Sequence, residues 1–450
     1  MIEYFHSVRL DQTKCKGCTN CIKGCPTEAI RVRNGKAHIL EERCIDCGEC
    51  IRNCPEHAKY AITDPLQRIE DFKISVAIPA PSFFGQFSIY SDFEIVATLK
   101  LIGFDEVYEV ALGADYVSMA YRKYFEREDI VKPSISSACP AVVRLIQVKF
   151  PSLIPNIIPI ESPMAITAYI AKDELSQKFN IKFEDVGVFF ISPCPAKVTA
   201  TQQPVAGSEH VDGVISMADM YGLVIRNIQN LKNHPQLIKE TKLKGSSYGL
   251  RWARPGGESI GFADNITHVQ IQGISHVSDV LEEIEMGKLK DVDFLEMQAC
   301  TGGCLGGPLV VENPFVARVF LNKRAKERSN DNNIPEATYK KLVESGELFF
   351  EENITSREIM KLDDNIKVAL RKMKEVEQIA NELPGLDCGA CGAPTCRALA
   401  EDIVQGEASR TDCTIELRNN VQNIAEELLS LAKHLPPTMK ERKNDNDETK

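Results

Sequence analysis

EMQACTGGCLGGP, residues 296–308, holds Cys300 and Cys304 four residues apart with two glycines between them. Two more cysteines stand in similar settings earlier in the chain, Cys139 in SSACP (136–140) and Cys194 in SPCPAK (192–197). Thiolates suit soft metal clusters, and the adjoining prolines and glycines shape loops that let the backbone approach a cluster closely. Spacing alone leaves two interpretations of Cys139 and Cys194 open, a shared iron–sulfur site and inert buried cysteines.

The region around these cysteines, residues 71–351, alternates short apolar runs with amphipathic stretches. Runs rich in β-branched and aromatic residues predict buried strands at Ile74–Pro79, Val107–Leu112 and Val186–Ile191. Amphipathic stretches predict helices at Val142–Phe150, Met164–Ala171 and Met217–Ile228. We therefore expect an α/β domain with strands covered on both faces, whose cysteines follow strand ends, where sites are usually built.

Eight cysteines in residues 1–65 form two copies of one pattern, C-x2-C-x2-C-x3-C-P, which is typical of bacterial ferredoxins with two 4Fe-4S clusters. In that pattern three thiolates of a loop hold one cluster, and the fourth reaches the other cluster. The first cluster is predicted to bind Cys15, Cys18, Cys21 and Cys54, and the second Cys44, Cys47, Cys50 and Cys25. Zinc is the alternative metal. Asn34-Gly35 predicts a hairpin between the copies, within a ferredoxin-like α+β domain.

A heptad-like apolar seam predicts a helical linker over residues 357–383. Its members are Leu362, Ile366, Ala369, Met373, Val376, Ala380 and Leu383. Gaps of four and three residues are typical of a coiled coil, but two alanines weaken the seam. The seam therefore suits either a dimerising or signal-transmitting coiled coil or a helix docked on the central domain, and docking is slightly favoured.

Four further cysteines lie in residues 384–433, which we predict to be a small helical 4Fe-4S domain. Cys388, Cys391, Cys396 and Cys413 follow the spacing C-x2-C-x4-C-x16-C and open as CGACGAPTC. This spacing resembles the 4Fe-4S module of the Rnf B subunit and of corrinoid iron–sulfur proteins, although four cysteines would also satisfy zinc. Residues 434–450 are polar and charged, which predicts a disordered tail.

Composition limits the classes of partner. The 450 residues carry a formal charge of -11, so phosphate-rich nucleic acids and anionic membranes would be repelled. No apolar run of signal-peptide or membrane-spanning length occurs, and we expect a cytoplasmic protein of two to four domains. Sixteen cysteines without an export signal indicate metal ligands rather than disulfides.

The motifs SSACP, SPCPAK and EMQACTGGCLGGP, in this order, resemble the active-site signature of the di-iron (FeFe) hydrogenases. The resemblance implies that Cys139, Cys194, Cys300 and Cys304 hold the 4Fe-4S half of the hydrogen cluster (H-cluster). Cys304 would also bridge to a di-iron unit with carbonyl, cyanide and azadithiolate ligands. Lys197 matches a lysine that hydrogen-bonds one cyanide, and Pro81-Ser82 match the segment that contacts the other. The implied cofactors are three 4Fe-4S clusters and the H-cluster.

Several residues depart from the catalytic members of that family. Ala138 stands where they carry the proton-relay cysteine, and alignment by the motifs puts Tyr121, Tyr124 and Ile158 at the other relay positions. Alanine and isoleucine carry no exchangeable proton, and tyrosine is a poor relay at neutral pH because its ordinary pKa is about 10. Ser192 and Gln298 replace methionines near the cofactor and are predicted to hydrogen-bond the cluster or its ligands and to shift its potential.

The resemblance therefore predicts a sensory hydrogenase of the multidomain α/β class, with low turnover and an anaerobic setting. Its expected partners are H2, protons, a redox or downstream signalling protein, and hydrogenase maturation proteins. Two alternatives stay open. One is an iron–sulfur electron-transfer or scaffold protein without the di-iron unit, and the other is an ordinary hydrogenase with a non-standard proton path.

Overall fold

The computed structural model describes residues 4–207, 210–330, 334–357, 359 and 361–434. Apart from His434, the predicted disordered tail lies outside these residues. The strands are β1 (Val8–Leu10), β2 (Ile30–Arg33), β3 (Lys36–Ile39), β4 (Lys59–Ala61), β5 (Ile74–Pro79), β6 (Glu106–Val107), β7 (Ser134–Ile135), β8 (Val186–Ser192), β9 (Gly213–Ser216), β10 (His268–Gln272) and β11 (Phe294–Gln298).

The α-helices of the same residues alternate with these strands in the central region and dominate the C-terminal one. They are α1 (Asn20–Lys23), α2 (Glu49–Arg52), α3 (Pro81–Phe84), α4 (Asp92–Ile102), α5 (Val110–Phe125), α6 (Pro140–Lys149), α7 (Pro163–Phe179), α8 (Pro195–Gln202), α9 (Met217–Asn227), α10 (Pro235–Glu240), α11 (Ser247–Arg251), α12 (Ile274–Glu285), α13 (Pro314–Glu327), α14 (Glu336–Glu344), α15 (Ile366–Glu382), α16 (Cys396–Val404) and α17 (Thr414–Lys433). The multidomain α/β class predicted from sequence is confirmed.

Two parallel sheets form the centre of the fold. One has the strand order β6-β5-β8-β9, and the other the order β10-β11-β7. All seven residues of β8 are buried, as expected for a parallel strand with helices on both faces. The predicted strands at 74–79 and 186–191 are confirmed, and the predicted central helices correspond to α6, α7 and α9.

The strand predicted at Val107–Leu112 is wrong. Only Glu106–Val107 is extended, and α5 begins at Val110. The first turn of α5 is buried throughout, so its residues form an apolar run that periodicity cannot distinguish from a buried strand.

The N-terminal region contains two sheets of two short strands each. Residues of β1 pair antiparallel with β4, and β2 pairs with β3 across Asn34-Gly35. The predicted hairpin is therefore confirmed. Asn34 and Gly35 both have positive φ, of 51° and 72°, which explains the choice of these two residues at the turn.

Contacts divide the chain into two units. The described residues of the first lie within 1–30 and 34–360, and those of the second within 31–33 and 361–434. In the second unit Val376 and Leu383 of the predicted seam are buried, together with Ile379, in a cluster with residues of α16. Neither interpretation of the seam included this packing, and the helix begins only at Ile366.

None of the helices in the described ranges is long and apolar enough to cross a lipid bilayer.

Candidate metal centre

The four separated cysteines lie on loops that follow parallel strands. Cys139 comes after β7 and directly before α6, and Cys194 comes after β8 and directly before α8. Cys300 follows β11, and Cys304 lies in a short 3₁₀ helix, Gly303–Gly306. Proline is the first residue of both α6 and α8, where its missing N–H costs no hydrogen bond. The topology thus brings distant parts of the chain to the carboxyl ends of the two sheets.

These loops line one cavity, which is partly open to solvent and measures about 870 Å³ with that open space included. Its lining includes the four cysteines and most of the other residues singled out from sequence, namely Cys139, Cys194, Cys300, Cys304, Pro81, Ser82, Ala138, Lys197 and Gln298. Ser192 does not line the cavity. Its hydroxyl donates to the carbonyl of Cys194 at 2.8 Å and accepts the Cys194 N–H at 3.2 Å, so it stabilises the loop.

Burial controls the protonation of the thiols in this cavity. It raises the pKa of Cys194 to about 11, to which the charge of neighbouring Cys139 contributes. It raises the pKa of Cys300 to about 12 and that of Cys304 well above its usual range. A bound metal cluster would replace these protons, since thiolates are the ligating form.

The cavity contains polar groups that the protein leaves without partners. Among the described residues, neither the Ser82 hydroxyl nor the Gln298 side-chain oxygen has a hydrogen-bond partner, although both atoms are buried. Leaving such groups unpaired costs about 1–3 kcal/mol each. The Lys197 cation acts on both Cys194 and Cys304. Four soft ligands, one cation and two unpaired polar atoms fit an anionic metal cluster that carries polar ligands.

Glycine allows the loops to approach the cavity closely. Gly303 has φ of 70°, and a Cβ atom there would lie 2.5 Å from the Gln298 side-chain oxygen. Gly307 passes so near Pro193 that a Cβ atom would lie 2.3 Å from its carbonyl oxygen. These glycines therefore have a steric role in placing Cys304 next to the Cys194 loop.

A buried carboxyl group that the sequence analysis missed also lines the cavity. Glu258 is 2% exposed and accepts a 2.6 Å hydrogen bond from the Ser136 hydroxyl. Burial raises its pKa well above the usual range, and the charge of nearby Glu296 adds to this effect. Glu258 therefore holds its proton more tightly than an exposed glutamate does.

Glu296 is the second buried carboxyl group of this region. It accepts hydrogen bonds from the N–H groups of Gly256 and Ser259 and from the Ser259 hydroxyl, and burial raises its pKa. A charged residue between Leu295 and Met297 of β11 was the available sequence signal.

The tyrosine predicted at a relay position is a core residue. Tyr121 is fully buried, and its ring packs edge-to-face against Phe262 and Phe294. Its hydroxyl lies 3.3 Å from that of Ser137, which donates to the carbonyl of Ile160. Burial raises the pKa of Tyr121, so this side chain is even less able to give up a proton than an exposed tyrosine.

The four cysteines predicted to bind the second N-terminal cluster lie together, although Cys25 belongs to the first copy of the motif. Cys44, Cys47, Cys50 and Cys25 line a common cavity of about 350 Å³. For the other set, the charges of Cys15 and Cys18 act on Cys21. Backbone N–H groups of Ala29 and Ala58 point at the sulfur atoms of Cys25 and Cys54, at 3.2 and 3.3 Å. Such N–H···S bonds are typical of iron–sulfur sites.

The C-terminal cysteines share a cavity of their own. It measures about 330 Å³ and is lined by Cys388, Cys391, Cys396 and Cys413. Thr395 caps α16, which begins at Cys396, by accepting the N–H of Ala398. The site lies entirely in the second unit.

Three family models match the chain. The iron-only hydrogenase large subunit, C-terminal domain, matches residues 73–261 and 257–308, which is more than half of the chain. A 4Fe-4S dicluster domain matches residues 7–55, and an Fe–S cluster domain matches residues 383–415. Iron–sulfur cluster domains are therefore present at both ends of the matched region.

Individual relatives are distant. The periplasmic Fe hydrogenase large subunit of Nitratidesulfovibrio vulgaris is 24% identical, over 67% of this chain and 86% of that protein. Iron hydrogenase 1 of Clostridium pasteurianum is 24% identical, and the match covers 67% of this chain but only 64% of that protein. A cytosolic Fe–S cluster assembly factor of Caenorhabditis elegans is 23% identical, over 67% and 71% of the two chains.

Among solved structures, an apo FeFe hydrogenase from Chlamydomonas reinhardtii matches 66% of this chain and 97% of its own, with a TM-score of 0.46 and 15% identity.

Proposed function

Because the chain belongs to the iron-only hydrogenase large-subunit family, we propose that it is a sensory hydrogenase that binds H2 and slowly interconverts it with protons and electrons. Its cofactors would be the H-cluster in the cavity at Cys139 and three 4Fe-4S clusters in the terminal domains. Its partners would be a redox or signalling protein and the maturation proteins that deliver the di-iron unit.

The size of the central cavity carries this proposal. The cavity of about 870 Å³ is more than twice the size of the cavities of about 350 and 330 Å³ at the other two cysteine sets. Each of those sets also has four cysteines, so the additional space at the central set leaves room for a group larger than a cubane. The unpaired Ser82 and Gln298 atoms lie in the same cavity and support a group with polar ligands.

In this proposal the four cysteines would hold the H-cluster. The bound cofactor would supply the interconversion of H2 with protons and electrons. Lys197 and Ser82 would orient its cyanide ligands through hydrogen bonds. The apolar lining, which includes Val110, Phe190 and Met297, keeps bulk water away.

The proton-handling residues support slow turnover. Ala138 lines the cavity but has no exchangeable proton, and Ile158 is fully buried at another relay position. Tyr121 holds its proton because burial raises its pKa. Glu258 is a buried carboxyl group that lines the cavity. It releases its proton less readily than an exposed glutamate because its pKa is raised. Slow exchange suits a protein that reports H2 rather than consuming it.

The second candidate is an iron–sulfur scaffold or electron-transfer protein without the di-iron unit. The similarity to an Fe–S cluster assembly factor favours it. The larger size of the central cavity and its unpaired polar atoms argue against it. A third candidate, an ordinary fast hydrogenase, would need Glu258 to serve as an efficient relay.

Infrared spectroscopy on the anaerobically matured protein separates the candidates. A loaded H-cluster gives carbonyl and cyanide bands, and the scaffold gives none although iron analysis shows a filled cubane. Lys197→Met should shift or weaken the cyanide bands, while Lys242→Met, an exposed lysine outside the cavity, should leave them unchanged. Absence of bands in a matured sample with a full cubane would refute the sensory hydrogenase.

A further inference from the structure

Arg52 lies at the junction between the N-terminal clusters and the central cavity. It ends α2, between Cys50 and Cys54, and its guanidinium donates one hydrogen bond to the carbonyl of Gly306. A second hydrogen bond goes to the carboxylate of Glu49. Gly306 belongs to the 3₁₀ helix that carries Cys304, so one side chain connects the two cysteine-bearing loops.

The two loops touch at this point. Gly48 has φ of 73°, and a Cβ atom on it would lie 2.4 Å from Cγ of Pro308 and 3.0 Å from Cγ of Pro195. The backbone beside Cys47 therefore packs directly on the loops that follow Cys194 and Cys304. Further contacts join the same regions, since the Ser7 hydroxyl donates to the carbonyl of Pro195 at 2.9 Å.

The charge of Arg52 acts on a ligand of each cluster site. Burial raises the pKa of the Cys300 thiol, and the charge and hydrogen bond of Arg52 oppose this effect. On its other side Arg52 interacts with Cys47. The side chain is only 25% exposed, so water and salt screen its charge weakly.

A fixed positive charge favours the reduced form of an adjacent cluster, because reduction adds negative charge. Arginine remains protonated in proteins, and its planar fork can hold two acceptors at once. Glu49 offsets part of this charge and orients the guanidinium. Removal of Arg52 should therefore lower the reduction potential of the neighbouring cluster, and removal of Glu49 should raise it.

The internal repeat of the chain contains a matched position. Lys23 stands two residues before the fourth cysteine of the first copy, as Arg52 does in the second copy. Lys23 is exposed and ends α1. Both copies thus place a cation two residues before their fourth cysteine. Of these two cations, Arg52 is the one that contacts the loop carrying Cys304.

We propose that Arg52 is a positioning residue whose charge sets the reduction potential of the cubane held at Cys300, and so governs electron exchange between that cubane and the cluster at Cys47. The inference rests on the proposed function only for the presence of these two clusters. It does not require the di-iron unit.

The test uses the full chain reconstituted with iron and sulfide, without the di-iron unit. Electron paramagnetic resonance at controlled potentials follows the reduction of each cluster, and a Cys139→Ser variant identifies the signal of the central cubane. In Arg52→Gln we expect the ratio of reduced to oxidised central cubane at a fixed potential to fall about tenfold, which is ~59 mV for one electron. Glu49→Gln should raise that ratio.

Two controls separate charge from structure. Arg52→Lys keeps the charge and should keep most of the wild-type ratio of reduced to oxidised central cubane. Lys23→Gln should leave this ratio unchanged. The C-terminal cluster serves as an internal reference in each sample. An unchanged ratio in Arg52→Gln with all clusters loaded, or a loss in Arg52→Lys as large as in Arg52→Gln, would overturn the role of the charge. A wild-type chain that binds no central cubane would overturn the proposed function as well.

Discussion

The hydroxyl of Ser136 donates a 2.6 Å hydrogen bond to the carboxyl group of Glu258 and accepts the N–H of Ala138 at 3.2 Å. This hydroxyl links the cavity's only buried carboxyl group among the described lining residues to the position at which relatives carry a thiol. The structure thereby offers a proton-holding group close to the place where the usual one is missing. Its raised pKa explains why the exchange would be slow.

Replacement of Glu258 by glutamine should remove this proton source. Glutamine retains an acceptor for Ser136 but does not titrate, so we expect hydrogen turnover to fall on the order of a hundredfold. The carbonyl and cyanide bands should persist because no cluster ligand changes. The comparison is Glu344→Gln, an exposed residue of α14. Unchanged turnover in Glu258→Gln with intact bands would exclude Glu258 from proton exchange.

A thiol at position 138 should have a limited effect. Ala138→Cys restores the residue of the catalytic relatives, but Ile158 and Tyr121 remain buried and unable to pass protons onward. We expect turnover to rise by less than about tenfold, well below the 10²–10⁴-fold that a complete acid–base group contributes. Turnover assays on equally matured samples test this. A gain of a hundredfold or more would show that the thiol alone was missing.

Stability should depend on pH through Asp115. Burial raises the pKa of this carboxyl group from 3.8 to about 6, although it accepts hydrogen bonds from Ser246 and Gly249. The native state therefore binds more protons than the unfolded chain between these values. Its stabilising contribution is complete below about pH 4 and is lost as pH rises through about 6, for a total of about 3 kcal/mol.

Thermal unfolding of Asp115→Asn between pH 5 and pH 7.5 measures this contribution. The stability of the wild type should fall as pH rises, and the variant should lose this pH dependence. Hydrogen bonds lost in the variant would lower its stability by the same amount at every pH. Asp279→Asn, on the exposed face of α12, should keep the wild-type slope. Parallel pH profiles for wild type and Asp115→Asn would contradict the assignment.

The second unit depends on a buried ion pair. Asp402 is 5% exposed. Its carboxylate forms ion pairs with Nε of Arg31 at 2.7 Å and with Nη2 of Arg33 at 2.6 Å. Asp402→Asn would leave two guanidinium groups against a neutral amide, at a cost of about 3–5 kcal/mol. The variant should release the iron of the C-terminal site at a lower temperature. Glu407→Gln, an exposed substitution in the same unit, should not have this effect.

The sequence predicted the cysteine sites better than it predicted what surrounds them. Strong spacing rules predicted the ligand sets, and long β-branched runs located β5 and β8. The first turn of α5 was misread as a strand because full burial removes the amphipathic period. Glu258 and Arg52 were missed because their roles depend on contacts with Ser136 and Gly306, which are far away in sequence. Ser192 was expected at the cofactor, but it binds the backbone of Cys194.

The most direct test compares infrared spectra of the matured protein under argon and under H2, with turnover measured on the same sample. We predict carbonyl and cyanide bands that change position when H2 is added, together with a turnover well below that of catalytic relatives. Bands that do not respond to H2, or the absence of bands from a fully matured sample, would contradict a hydrogen-responsive cofactor at Cys304. Responsive bands with fast turnover would contradict the slow proton exchange.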